Sequence, residues 1–197
     1  MQNEDSRSAL KRLGSYFRAK QAAEVGIEYH RLQALVRDGD VQRVSWGMYA
    51  RSDAELTEHH SLALACARVP NSIVCLVSAL QVHGIGTRVP AEVWLAVPHK
   101  ARAPQVPEVK LCLVRFSGPA WTYGIQSMRF EGVDARVTDP ARTVADCFRF
   151  SHRVGEETAR EALRDALARR MVTIDALYRA LDVLPSTELR KMLETMS

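Results

Sequence analysis

No stretch of the 197 residues approaches the ~20 consecutive apolar positions that a membrane-crossing helix needs. That absence excludes a transmembrane helix and predicts no membrane partner. The opening decapeptide MQNEDSRSAL carries acids and has no apolar core, so no secretory signal is expected there. Cysteine is sparse: Cys66, Cys75, Cys112 and Cys147 are widely and unevenly spaced, with no C-x-x-C pair. Neither a zinc site nor a disulfide framework is expected from such spacing; reduced, buried thiols in a cytoplasmic protein are. Internal repeats and low-complexity tracts are missing too. What remains is ordinary soluble material, 47% hydrophobic and 25% charged, enough for one or two domains. The net charge of +4 and pI near 9.0 are compatible with a polyanionic partner without establishing one.

Three segments follow from pattern. The first ends near Arg51 and is closed by the polar RSDAELT. The second, roughly 57 to 137, opens with helical TEHHSLALACARV (57–69) and VSALQVHG (77–84), the latter terminated by Gly84. Its strands are EVWLAVP (92–98), VKLCLVRF (109–116), IQSMRF (125–130) and VDARVT (133–138), the last pair facing each other across a Glu131-Gly132 hairpin turn. The third segment is helical. Asp139 as N-cap and Pro140 at the first helical position open 139–150. Helices over 155–170, 173–184 and 186–196 follow, the first with early acids, late arginines and an alanine–leucine stripe, the others capped by Thr or Ser.

The stretch AAEVGIEYHRLQALVRDGD (22–40) carries the sharpest signal. A helix-turn-helix needs a small residue where its helices cross, a residue able to take a left-handed turn, and apolar locks between the helices. Ala22, Gly26 and the set Val25, Ile27, Leu32 and Leu35 meet those needs. Helical periodicity then turns Glu28, Tyr29, His30, Gln33, Ala34 and Arg37 outward, a mostly polar set suited to base edges and phosphates. The flanks add specificity. SYF (15–17) can form a short strand, while VQRV, SWG and MYAR read as a β-hairpin with Ser45-Trp46-Gly47 at its tip. A helix-turn-helix followed at once by a hairpin is a winged helix, with Arg43 and Arg51 placed to reach phosphates. The bland alternative is a winged helix used only for protein contact; the order strand, helix, turn, helix, hairpin favours DNA.

The line G-I-x-x-x-x-L-x-x-L-V-R-D-G-x-V-x-R-V-x-x-G-M-Y (26–49) resembles the N-terminal domain of AbiEi-type antitoxins. SALQVHGIGTRVP (78–90) and EVWLAVPHKARAP (92–104) resemble that family's middle region, and VTDPARTVADCFRFSHRVGEETAREAL (137–163) its C-terminal part. The resemblance covers most of the chain in order. It implies the antitoxin half of a type IV toxin–antitoxin pair linked to abortive phage infection. In such proteins the winged helix binds inverted repeats in double-stranded DNA at its own promoter and represses the operon. The C-terminal domain counters a nucleotidyltransferase-type toxin without a stable complex.

Other residues invite an enzyme. Ser78, His83 and Asp139 or Asp146 are triad types, yet Ser78 lacks a G-x-S-x-G elbow and nothing orients His83 toward it, so structural roles are expected. His59 and His60 are sequence neighbours that diverge by about 100° on a helix, a poor metal pair. Arg142 and Asp146, at i and i+4, read as a structural ion pair. A nuclease would need an acid and E-x-K on adjacent strands, and the segment after 139 is helical without one. The basic, proline-rich PHKARAPQVP (98–107) reads as a solvated linker, with Lys100 and Arg102 as candidates for a second nucleic-acid or partner contact.

The expectation is therefore an α+β protein with a winged helix over 1–52 and a mixed sheet-and-helix domain over 53–197. Its expected function is that of a DNA-binding antitoxin and autorepressor with no catalysis, metal or cofactor. DNA contacts are expected from Tyr29, His30, Gln33, Ala34, Arg37, Arg43, Ser45, Trp46 and Arg51. The alternative is a winged-helix transcription factor whose second domain senses a ligand.

Overall fold

The computed structural model describes residues 2–45, 47–54 and 57–196. The fold is α+β and divides into two compact units: Met1–Pro70 with Arg129–Ala135, and Asn71–Met128 with Arg136–Ser197.

The first unit contains α1 (Gln2–Leu10), β1 (Tyr16–Arg18), α2 (Ala19–Glu24), α3 (Tyr29–Arg37), β2 (Val41–Ser45), β3 (Met48–Arg51) and α4 (His60–Arg68). Its antiparallel sheet has the order β1-β3-β2, with Phe17 and Arg43 both opposite Tyr49. Strand alternation puts Phe17, Tyr49 and Val41 on one face, where they pack with Ala22, Ile27, Leu32 and Leu35 in a single core. Topology and core are those of a winged helix-turn-helix.

The other sheet face carries Tyr16, Met48 and Ser45, and α4 covers it. Ser45 Oγ donates to the Ala67 carbonyl at 3.2 Å, and the Tyr16 ring stacks on His60 at 5.8 Å between centroids. The compact unit accordingly runs to Pro70, beyond the boundary expected at 52/53. A sheet with apolar side chains on both faces needs a layer on each.

The unit also takes in the turn Glu131-Gly132. Tyr16 N donates to the Glu131 carbonyl at 2.7 Å, and a Cβ on Gly132 would overlap the Tyr16 carbonyl oxygen. Both turn residues have positive φ, 49° and 93°, as a tight two-residue hairpin requires. The Glu131 carboxylate is nearly buried. Its Oε1 accepts from Thr57 N at 2.9 Å and Thr57 Oγ1 at 2.7 Å, and Oε2 lies 3.0 Å from His60 Nδ1. Burial works to raise its pKa, but the bonds from Thr57 and His60 outweigh that and hold it below the usual value.

The second unit has β4 (Ile73–Val74), α5 (Leu76–His83), β5 (Val93–Pro98), β6 (Leu111–Phe116) and a 3-10 turn (Gly118–Trp121). Strands β7 (Ile125–Phe130) and β8 (Val133–Thr138), of which 129–135 count with the first unit, follow, then α6 (Pro140–Arg149), α7 (Ser151–Val154), α8 (Glu156–Ala168), α9 (Ile174–Val183) and α10 (Thr187–Met196). The sheet order is β6-β5-β4-β8-β7, with β5 parallel to β6, β4 parallel to β8 and β4 antiparallel to β5. The expected strands and helices all form, with bounds shifted by a few residues at most. Helices α1 and α7 and the two-residue β4 are additions to the expected elements.

Helix α6 is the hub of this unit. Asp139 caps it by accepting from Arg142 N at 2.8 Å, and Val144, Ala145 and Phe148 enter the core. Arg142 is fully buried, yet every arm of its guanidinium is satisfied: Nε by Asp146 Oδ2 at 2.8 Å, Nη2 by the Ala120 carbonyl at 2.8 Å, and Nη1 by the Tyr123 carbonyl. Asp146 Oδ1 also accepts from Arg149 Nη1 at 2.7 Å.

The segment 98–107 is, after Pro98, a mostly exposed connection without helix or strand, as a solvated linker would be. It belongs to the crossover joining the parallel strands β5 and β6, which a two-residue turn cannot do.

Candidate nucleic-acid interface

Helices α2 and α3 meet as the spacing predicts. Ala22 is fully buried, and its carbonyl accepts from Ile27 N at 2.9 Å. Gly26 takes φ +89° with no atom within 4 Å of where a Cβ would stand, so it is there for its backbone conformation rather than for space.

Of the outward residues expected on α3, Tyr29 is 68% exposed, and His30 and Arg37 are exposed as well. His30 Nδ1 lies 3.3 Å from Glu28 Oε2. Gln33 and Ala34 are half-buried, and Gln33 Nε2 donates to Tyr49 Oη at 3.4 Å. Gln33 thus ties α3 to the sheet and faces water only in part.

The hairpin residues separate in the same way. Arg43 is exposed and, by strand register, lies on the same sheet face as Phe17 and Tyr49, the α3 side. Among the described residues neither Arg37 nor Arg43 has an ion-pair partner. Ser45 faces α4, where its hydroxyl is bonded to Ala67, and it is not a free contact at a wing tip. Trp46 lies outside the described residues. Arg51 is likewise committed: it pairs in bidentate fashion with Asp53 and donates Nη1 to the Leu13 carbonyl at 3.1 Å. It closes β3 against the chain following α1 and offers no open guanidinium to a phosphate.

Two cations escaped sequence reasoning. Arg18 and Lys20, at the entrance to α2, are exposed. Their available signal was position, since residues opening the first helix of a helix-turn-helix lie near the DNA backbone that this helix crosses.

The residues that suggested catalysis have structural partners. Ser78 Oγ accepts from Trp94 N at 2.9 Å, while His83 Nε2 donates to the Thr138 carbonyl at 2.7 Å. His59 packs edge-on against Phe130 with centroids 5.1 Å apart. An E-x-K spacing does occur once, at Glu108-Val109-Lys110, but before β6 in the crossover, with both charged side chains exposed. Among the described residues no group of three or more His, Cys, Asp or Glu could hold a metal ion. No helix among them is long and apolar enough to cross a membrane. All four cysteines are free thiols, three of them buried.

No family model matches the chain, and no curated protein matches it by sequence. Among solved structures, the crystal structure of the RV2827C protein from Mycobacterium tuberculosis is similar, with a TM-score of 0.56 and 17% identity. The match covers 92% of this chain and 70% of that one. At that identity the likeness speaks for the fold alone.

Proposed function

We propose that this chain is a sequence-specific, double-stranded DNA-binding protein of the AbiEi antitoxin type. In this reading it is a cytoplasmic repressor of its own operon that carries out no catalysis and needs no cofactor. The observation that carries the DNA half is the surface of α3. Tyr29, His30 and Arg37 project from the second helix of a helix-turn-helix, with Arg43, which has no ion-pair partner among the described residues, on the same side of the sheet. Helices so placed enter the major groove, where side chains of these types meet base edges and phosphates. The antitoxin half rests on the sequence resemblance: residues C-terminal to the winged helix counter a nucleotidyltransferase-type toxin without a stable complex.

The DNA reading is tested by gel-shift titration of the full chain on the promoter region upstream of its gene. The variant Tyr29→Ala/His30→Ala/Arg37→Ala loses the preference for promoter over random duplex, each lost base contact costing about 1–3 kcal/mol. Undiminished preference in that variant would remove α3 as the reader. The antitoxin half is tested by co-expression with the adjacent gene: rescue of growth supports it, and a neighbour that is not toxic refutes it.

A further inference from the structure

The crossover that leaves β5 begins with a tight turn, in which Ala101 N donates to the Pro98 carbonyl at 2.9 Å. Arg115, on the neighbouring β6, sets its Nη1 at 3.1, 2.9 and 2.7 Å from the carbonyl oxygens of Pro98, His99 and Ala101. One guanidinium thus gathers three carbonyls inward and fixes the turn. That arrangement has an electrostatic consequence. The backbone oxygens that would repel an anion are occupied, while His99, Lys100 and Arg102 stay exposed. Among the described residues, neither Lys100 nor Arg102 has an ion-pair partner, unlike the arginines of α6 and α8 that pair with neighbouring carboxylates.

We propose that the Pro98–Ala101 turn is a second, sequence-blind contact for the phosphodiester backbone of nucleic acid, made through Lys100 and Arg102. A flexible basic loop loses conformational entropy when it binds; a turn already held by Arg115 loses little. Each cation that neutralises a phosphate releases condensed counterions, so the contact is read from salt dependence rather than from sequence preference. The contact does not depend on the α3 reading.

The experiment is fluorescence anisotropy of the full chain with random duplex DNA across a salt series. Wild type is compared with Lys100→Ala/Arg102→Ala, and with Tyr29→Ala/Arg37→Ala in parallel. The loop variant, with an unchanged melting temperature, binds random duplex about tenfold more weakly, and its log–log salt slope falls by about two. Promoter DNA shows the same loss, so that the preference between the two is kept. Unchanged affinity and slope for random duplex would overturn the proposal. So would a loss seen only with poly-glutamate, which would assign the turn to an acidic protein. The α3 variant separates the two readings: it lowers the preference for promoter over random duplex if α3 is the reader, whereas the loop variant keeps that preference and loses affinity for both.

Discussion

Arg51 and Asp53 are locked side to side, with Nε 2.9 Å from Oδ1 and Nη2 3.0 Å from Oδ2. The Arg51 hydrogen bond is the largest influence on Asp53, and it keeps that carboxyl below its usual range. With Nη1 on the Leu13 carbonyl, this arginine is a clasp between β3 and the chain after α1. Arg51→Ala should therefore lower folding stability by about 1 kcal/mol, the order expected for hydrogen bonds of a partly exposed pair. It should leave the salt slope of DNA binding unchanged, whereas Arg43→Ala should flatten that slope by about one. Urea unfolding and a salt titration measure the two effects. A slope change for Arg51→Ala with stability intact would return it to the phosphate contacts.

Glu131 makes part of the stability of the first unit pH-dependent. Its pKa in the folded chain lies below the ordinary value near 4.5, so the unfolded state binds its proton at higher pH than the folded state does. The stabilisation is fully present above that ordinary value and is lost as pH falls through the lower, folded one. Wild type should thus exceed Glu131→Gln in stability at pH 7 and lose that advantage as pH falls through the lowered, folded value. Chemical unfolding of both proteins from pH 7 to pH 3 gives the comparison. A gap that stays constant with pH would show that the carboxylate's charge contributes nothing.

Around Arg142 the sign of the effect is set by what is left behind. Asp146→Ala strands a fully buried guanidinium without its anion, a change that typically costs about 3–5 kcal/mol. Gly124→Ala attacks the same cluster sterically: its Cβ would stand 2.8 Å from Arg142 Cβ and 2.9 Å from Asp139 Oδ2, at φ +58°. Both variants should unfold at markedly lower temperature than Gly26→Ala, where the added methyl meets nothing and only a positive φ of +89° is penalised, by about 1 kcal/mol. Thermal melts of the three rank the effects. A Gly26 variant as damaged as the other two would mean that the α2–α3 turn is crowded after all.

The contrast between Gly26 and Arg51 marks how far sequence reading reaches. Gly26 belongs to a local pattern whose apolar positions recur at helical spacing, so turn, crossing and inward set all follow from a window of about twenty residues. Ser45 and Arg51 lie in the hairpin beyond it, and besides the local Asp53 their partners are 22 and 38 residues away, at Ala67 and Leu13. A cation or hydroxyl at a hairpin looks free until the chain folds back onto it. Strand β4 has two residues, Ile73 and Val74, too few to show any period. Helix α1 has no apolar stripe to announce it and reaches the core through Leu10 near its end. Proline and cations mark the 98–107 segment as an exposed connection, but that it is a crossover follows only from the parallel pairing of β5 with β6.

Helix α4 supplies a test of where the winged helix ends. Sequence polarity puts a boundary at 52/53, which would leave α4 with the C-terminal part. Yet Leu62, Ala63, Ala65 and Cys66 of α4 are buried in the unit that holds β2 and β3. A chain of residues 53–197 keeps α4 while losing the sheet that His60 and Ala67 contact, and the expectation is that buried α4 side chains then meet water. Cys66 reports this directly. In the full chain burial pushes its thiol up to about 12, which leaves almost no reactive thiolate at neutral pH. In a Cys112→Ser background the remaining thiols of the full chain are all buried, and Ellman's reagent should label the native protein slowly. Residues 53–197 in the same background should gain at least one rapidly labelled thiol, identified as Cys66 by peptide mapping, and should bind a hydrophobic dye. If the truncated chain instead protects Cys66 as well as the full chain does, α4 does not depend on the winged helix, and the domain boundary returns to 52/53.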